Sequence, residues 1–195
     1  MNAAVIPVPC IIDAYTGSND NYAADISAPV FRTFLNVRLF GSTETRAALE
    51  FDIGALPVPP GEVITDASLI LYATESNALI AVHGATGDGA IDSSDFLFTN
   101  KIKTFDPVSS MPPDPPALNT VDVTGFIRAA AAGPDPYVVL QLRELFNEEM
   151  NEFVSTHSLD PAFHPRLDIT TAVVPEPIGL GVIGLAMLAG KRRRK

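Results

Sequence analysis

Arg46-Ala47-Ala48-Leu49-Glu50-Phe51-Asp52-Ile53 is the stretch whose reading decides the fold class. Leu49, Phe51 and Ile53 recur at every second position, with Glu50 and Asp52 between them. A period of two lines one face of a β-strand with apolar side chains and the other with polar ones. Gly54 ends the run, and Leu56 to Gly61 holds Pro57, Pro59 and Pro60, a stiff connection. Beyond it, Val63 to Ala73 reads as a second strand and Leu79 to Gly84 as a third. Upstream, Phe31 to Leu39 alternates less regularly and leads into a turn at Gly41 to Glu44. Ile11-Ile12 precedes turn-forming residues at Thr16 to Asn21. Downstream, Thr120 to Ile127 starts with alternation, Pro136 to Arg143 is a strand, and Arg166 to Thr170 is the last one.

Many short strands separated by Gly and Pro turns predict an all-β chain, an antiparallel β-sandwich of jelly-roll-like form over residues 11–172. Residues 1–10 are expected to be an N-terminal extension, and residues 173–195 form a separate tail. Only Arg128 to Ala132 and Arg143 to Phe153 invite helices. The 17 prolines suit a sandwich with long connections better than a helical fold.

The tail has three parts in order. Pro175-Glu176-Pro177 is stiff and extended, because each proline fixes its φ and biases the residue before it away from helix. Ile178 to Gly190 follows, thirteen residues without a charged or polar side chain. Lys191, Arg192, Arg193, Arg194 and Lys195 close the chain. This predicts a short apolar helix with a basic end. Basic residues after an apolar run stay on the cytoplasmic side of a membrane, which places the body on the other side. At about 1.5 Å per residue the run gives roughly 20 Å against a hydrocarbon core of roughly 30 Å, so it is short for a span.

This tail resembles a PEP-CTERM sorting signal, the substrate of an exosortase. The resemblance implies export, temporary anchoring in the membrane through the C-terminal segment, and cleavage at or near Pro175, Glu176 and Pro177 by an exosortase-like enzyme. An export signal is then expected upstream, since Met1 to Cys10 has neither a basic start nor a long apolar stretch. A second resemblance lies in the body. Arg46 to Pro57, Ile64 to Tyr72, Val121 to Phe126 and Pro165 to Thr170 are similar to DNRLRE-type jelly-roll domains. That resemblance implies a domain of bacterial surface and secreted proteins, some of whose relatives bind carbohydrate.

Charge narrows the partners. The net charge is −10; setting aside the five terminal cations leaves eight Lys and Arg against 23 Asp and Glu in residues 1–190, a body of −15. Such a body excludes nucleic acid, whose phosphates need a basic face. Cys10 is the single cysteine, so no internal disulfide forms, and it is read as a small buried hydrophobe.

Chemistry-bearing candidates are few. Gly87 to Asp95 sets Asp88, Asp92 and Asp95 on a glycine-rich loop with two serines. Calcium takes six to eight oxygens, and spaced aspartates supply them, so these three residues are the candidate calcium ligands. The alternative is a polar turn that caps a helical start at Asp95-Phe96-Leu97. Glu144, Glu148, Glu149 and Glu152 cluster late in the chain and are read as a solvated charged face rather than a glycosidase pair. His83, His157 and His164 are read as surface or strand-edge residues. Neither a GxSxG elbow nor an HExxH motif occurs. The expectation is a non-catalytic, exported envelope or matrix protein associated with extracellular polysaccharide. A carbohydrate-binding module is the alternative, and a glycan-degrading enzyme the second.

Overall fold

The computed structural model describes residues 4–15, 33–40, 43–110, 114–146 and 149–173. The expected turn at Thr16 to Asn21 and the tail from 174 onward, with its Pro-Glu-Pro motif, apolar helix and basic end, lie outside the described residues.

Within them the chain is all-β. Eleven strands run β1 (Ala4–Tyr15), β2 (Phe34–Phe40), β3 (Thr43–Thr45), β4 (Ala47–Asp52), β5 (Glu62–Glu75), β6 (Ile80–Gly87), β7 (Lys101–Phe105), β8 (Ala117–Asp122), β9 (Tyr137–Glu144), β10 (Glu149–Val154) and β11 (Arg166–Val173). One helix, α1 (Thr124–Ala131), follows β8. All the ladders are antiparallel. The order is β3-β2-β10-β5-β11-β1-β4-β9-β6-β7, with β8 on β5. One apolar core draws on both halves of this order: Leu69, Leu71, Leu167 and Phe153 from one, and Leu49, Phe51, Leu140 and Leu142 from the other. The architecture is sandwich-like.

The first strand joins the halves. Ala4 to Pro9 pairs with β11, and after a register shift between Cys10 and Ile12 the strand pairs with β4. Strand β1 therefore includes Ala4 to Cys10, inside the stretch read from sequence as an extension. Pro7 and Pro9 both sit inside this strand. Both lie on the same side of the backbone, and among the described residues the strand paired with Ala4 to Pro9 is β11. Proline is tolerated where its missing N–H faces an unpaired edge. Cys10 is buried in the core, where burial and the nearby Asp13 push its thiol well above the ordinary range.

The late acidic stretch is corrected too. Arg143 to Phe153 does not form a helix; it holds the end of β9 and most of β10. Glu144 is buried, not solvated, and one of its oxygens accepts from the Leu39 N–H at 2.9 Å. The helix expected at Arg128 to Ala132 exists but begins earlier, at Thr124. It buries Ile127 and brings Phe126 against Gly84, where a Cβ would meet the Phe126 ring at 2.8 Å.

The central strands of one half are buried on both faces, which is why β4, β6 and β9 read almost continuously buried along their lengths. Leu49 and Phe51 enter the core as the alternation predicts, but Ala48 and Glu50, on the opposite face, are also without exposure. The cover is residues 88–100, between β6 and β7. They lie across that outer face as a strap, with Ile91 and Phe96 packed on Ala48 and Val139.

Candidate functional site

The strap carries the three sequence-predicted calcium ligands, and its attachment decides what they can do. It leaves β6 at Gly87 and turns at Gly89, whose φ of +93° suits glycine. Glu50 of β4 lies directly beneath. Its Oε1 accepts from the Gly89 N–H at 2.8 Å, and a Cβ on Gly87 would stand 2.2 Å from the same oxygen. The far end of the strap is held by two more side chains of the sheet. Arg46 Nη1 donates to the Phe96 carbonyl at 2.5 Å, and Gln141 Nε2 donates to the Asp95 carbonyl at 3.1 Å. Arg46 is itself paired with Glu44 at 2.6 Å, and Glu44 also takes Arg143 at 2.5 Å.

The aspartates serve the strap's own backbone. Asp88 accepts from the Ala90 N–H at 3.0 Å. Asp92 caps a single 3-10 turn, Ser93–Phe96, accepting from the backbone and hydroxyl of Ser94 at 2.7 and 2.6 Å. Asp95 returns the contact by accepting from the Asp92 N–H at 2.7 Å, which completes a capping box. The structure thus brings Asp92 and Asp95 together as caps. Among the described residues no group of three or more His, Cys, Asp and Glu side chains is placed to hold a metal ion.

Electrostatics follow from burial. Desolvation raises the Glu50 carboxyl, and the charges of Asp95 and Asp88 raise it further against the opposing Gly89 bond. Asp95 is raised for the same leading reason, then by Asp92 and Asp88. Exposed Asp92 moves the other way, held below the usual range by the Ser94 hydroxyl and N–H. One oxygen of Glu50 and the amide oxygen of Gln141 are buried without a hydrogen-bond partner. His83, on β6 opposite Gln141, is buried rather than exposed at an edge, and burial followed by the charges of Arg143 and Arg46 lowers its pKa.

The other two histidines stand at the β10–β11 connection. His157 Nε2 is 3.9 Å from the buried Asp13 carboxylate, whose other oxygen accepts from the Thr156 N–H at 2.7 Å. His164 Nε2 meets the Ser158 carbonyl at 2.9 Å. Sequence reasoning missed Glu50, Arg46, Gln141 and Asp13 as anchors of loops. The signal was present for Glu50 alone, a carboxylate in the middle of a strong strand pattern, but alternation assigned it to solvent.

No protein-family model matches the chain, and no curated protein matches it. Among the described residues no helix is long and apolar enough to cross a membrane.

Proposed function

We propose that this protein is an exported, non-catalytic envelope or matrix protein, delivered through its C-terminal tail and associated with extracellular polysaccharide. The observation that carries the reading is the order Pro175-Glu176-Pro177, apolar run, Lys191 to Lys195 at one chain end. In this reading the run from Ile178 to Gly190 sits in the membrane and the five cations stay in the cytoplasm. The stiff motif is then presented outside, where an exosortase-like enzyme recognises Glu176, the motif's only charge, and removes the apolar segment. The all-β, sandwich-like body is consistent with the proposal, since the domains that its motifs resemble are all-β. Its acidity keeps it soluble once released and turns it away from nucleic acid. A carbohydrate-binding role for the body is the second reading, favoured by the sheet face that carries Tyr72, Arg166 and Asp168. Calcium at Asp88, Asp92 and Asp95 remains part of the proposal as a stabilising ion rather than a catalytic one.

The test compares cell fractions of three forms in a host that carries an exosortase. The parent is expected outside the membrane fraction, Glu176→Ala within it, and a chain lacking residues 178–195 outside it without processing. Parent and Glu176→Ala found in the same fraction would overturn the sorting reading.

A further inference from the structure

The outer face of β5, β8 and β11 is built differently from the strap-covered face. Register sets Thr120, Ile70 and Arg166 in one rank across the three strands and Asp122, Ser68 and Asp168 in the next. Their neighbours along each strand, Leu69, Val121 and Leu167, enter the core, so these ranks face away from it, with Ile70 buried between exposed Thr120 and partly exposed Arg166. Tyr72 stands one step further along β5 on the same face.

Tyr72 is part of an ordered cluster. Its ring meets that of Phe163 edge-on, with centroids 5.2 Å apart and planes at 70°. Beside this pair Arg166 lies against Asp168 through two nitrogens of its guanidinium, Nε at 3.0 Å and Nη2 at 3.5 Å. The Arg166 and Asp168 side chains keep 32% and 27% of their surface accessible. They can therefore be reached, yet their rotamers are already fixed, which lowers the ordering cost of binding. A mostly buried aromatic ring with a partly accessible edge beside a guanidinium and carboxylates, with Thr120 and Ser68 hydroxyls adjoining, matches a sugar: a C–H face for the ring and hydroxyls or amines for the polar groups.

Charge selects among sugars. The face carries Asp66, Asp122 and Asp168 against Arg166, with Lys103 near Asp122 and Arg128 bonded to the backbone of β5 at its margin. Behind it stands a body of −15 over residues 1–190. The three carboxylates of the face are matched by these three cations, so it is the body's net charge that repels polyuronates and other anionic polymers and attracts ammonium groups. We infer that this face binds a glycan whose sugars carry free amino groups, one ring lying against Tyr72 and its neighbours' ammonium groups against Asp168 and Asp122. The inference rests on the matrix-associated reading and names the class of polymer; its failure would leave the tail's fractionation result untouched.

The test is calorimetric titration of the full-length chain in detergent with short soluble glucosamine oligomers, their N-acetylated counterparts and a polyuronate. Binding is expected to the amino oligomers alone. Tyr72→Ala leaves every charge in place and is expected to weaken binding by about tenfold or more, the scale of losing an aromatic anchor. Equal affinity in parent and Tyr72→Ala would reveal general attraction of a polycation to an acidic protein and overturn the inference. Equal affinity for the N-acetylated oligomers, or no binding to either, would also overturn it. Should Tyr72→Ala lower the melting temperature enough to confuse the comparison, Asp122→Asn with Asp168→Asn supplies the second arm: both charges go, and the amino-oligomer affinity is expected to fall by about tenfold.

Discussion

Replacing Phe96 with Ala tests whether the 88–100 strap is a seated part of the core or a loop resting on it. Phe96 has no exposed surface and packs with Ile91 on Ala48 and Val139. Truncating a buried Phe costs about 3–5 kcal/mol when the cavity cannot collapse. The strap is surface-borne and can lift, so the loss is bounded by the strap's own attachment. That attachment includes the Glu50–Gly89, Arg46–Phe96 and Gln141–Asp95 bonds, each contributing about 1 kcal/mol, or more where the partner is charged. A destabilisation of about 3 kcal/mol is therefore expected in urea titration. If the strap detaches before the body unfolds, the m-value should drop, because the outer face of β4 and β9 is then exposed in the native state. Hydrogen exchange should show faster exchange over residues 88–100, with the β5 and β11 ladders still protected. A loss under about 1 kcal/mol with unchanged exchange would refute the reasoning, since it would mean that the apolar contact does not hold the strap.

Three further outcomes are expected. Glu50 has a folded pKa above its unfolded one, so the folded chain binds a proton that the unfolded chain has released between the two values, and stability falls as pH rises through that window. Glu50→Gln keeps the acceptor for Gly89 and should flatten that fall in a pH series of melting curves; an unchanged slope would show that Glu50 is ionised without penalty. Millimolar calcium should raise the melting temperature of the parent through binding to the folded state, with Asp92→Ala abolishing the rise; no rise in the parent would leave the loop as a capped turn. Gly84→Ala should cost about 1–3 kcal/mol and loosen α1, because its Cβ would overlap the Ile102 side chain and the Phe126 ring; a neutral effect on the melting temperature would show that α1 is not packed as described.

Much of the fold was legible in the sequence, for reasons that differ by strand. In β11, Leu167 and Ile169 alternate with Arg166, Asp168 and Thr170, and the alternation survives because the outer face is open. In β5 the same logic holds through Leu69 and Leu71, but Ile64 falls out of phase with Ala67, since a register shift against β11 at Thr170 and Thr171 adds a residue. Across β4, β6 and β9 alternation fails as a guide to exposure, because a distant segment covers the polar-looking side. No local pattern announces such a cover. β10 was hidden by composition: its acidic residues suggested a solvated face, whereas Asn151 is buried and its side-chain oxygen faces the Asn77 and Ala78 N–H groups at 3.2 and 3.4 Å. The acidic loop was located correctly in sequence, and the capping alternative describes what its Asp92 and Asp95 side chains do. The anchors beneath it come from residues 39 to 50 positions away, a distance that sequence spacing cannot bridge.

Intact mass spectrometry of the mature protein, recovered from a host carrying an exosortase, tests the central claim most directly. A chain that ends at or close to Pro175-Glu176-Pro177, lacking the apolar run and the five terminal cations, is the expected result, with Glu176→Ala retaining the full mass in the same host. A parent protein that keeps Lys195 at full mass would contradict the account.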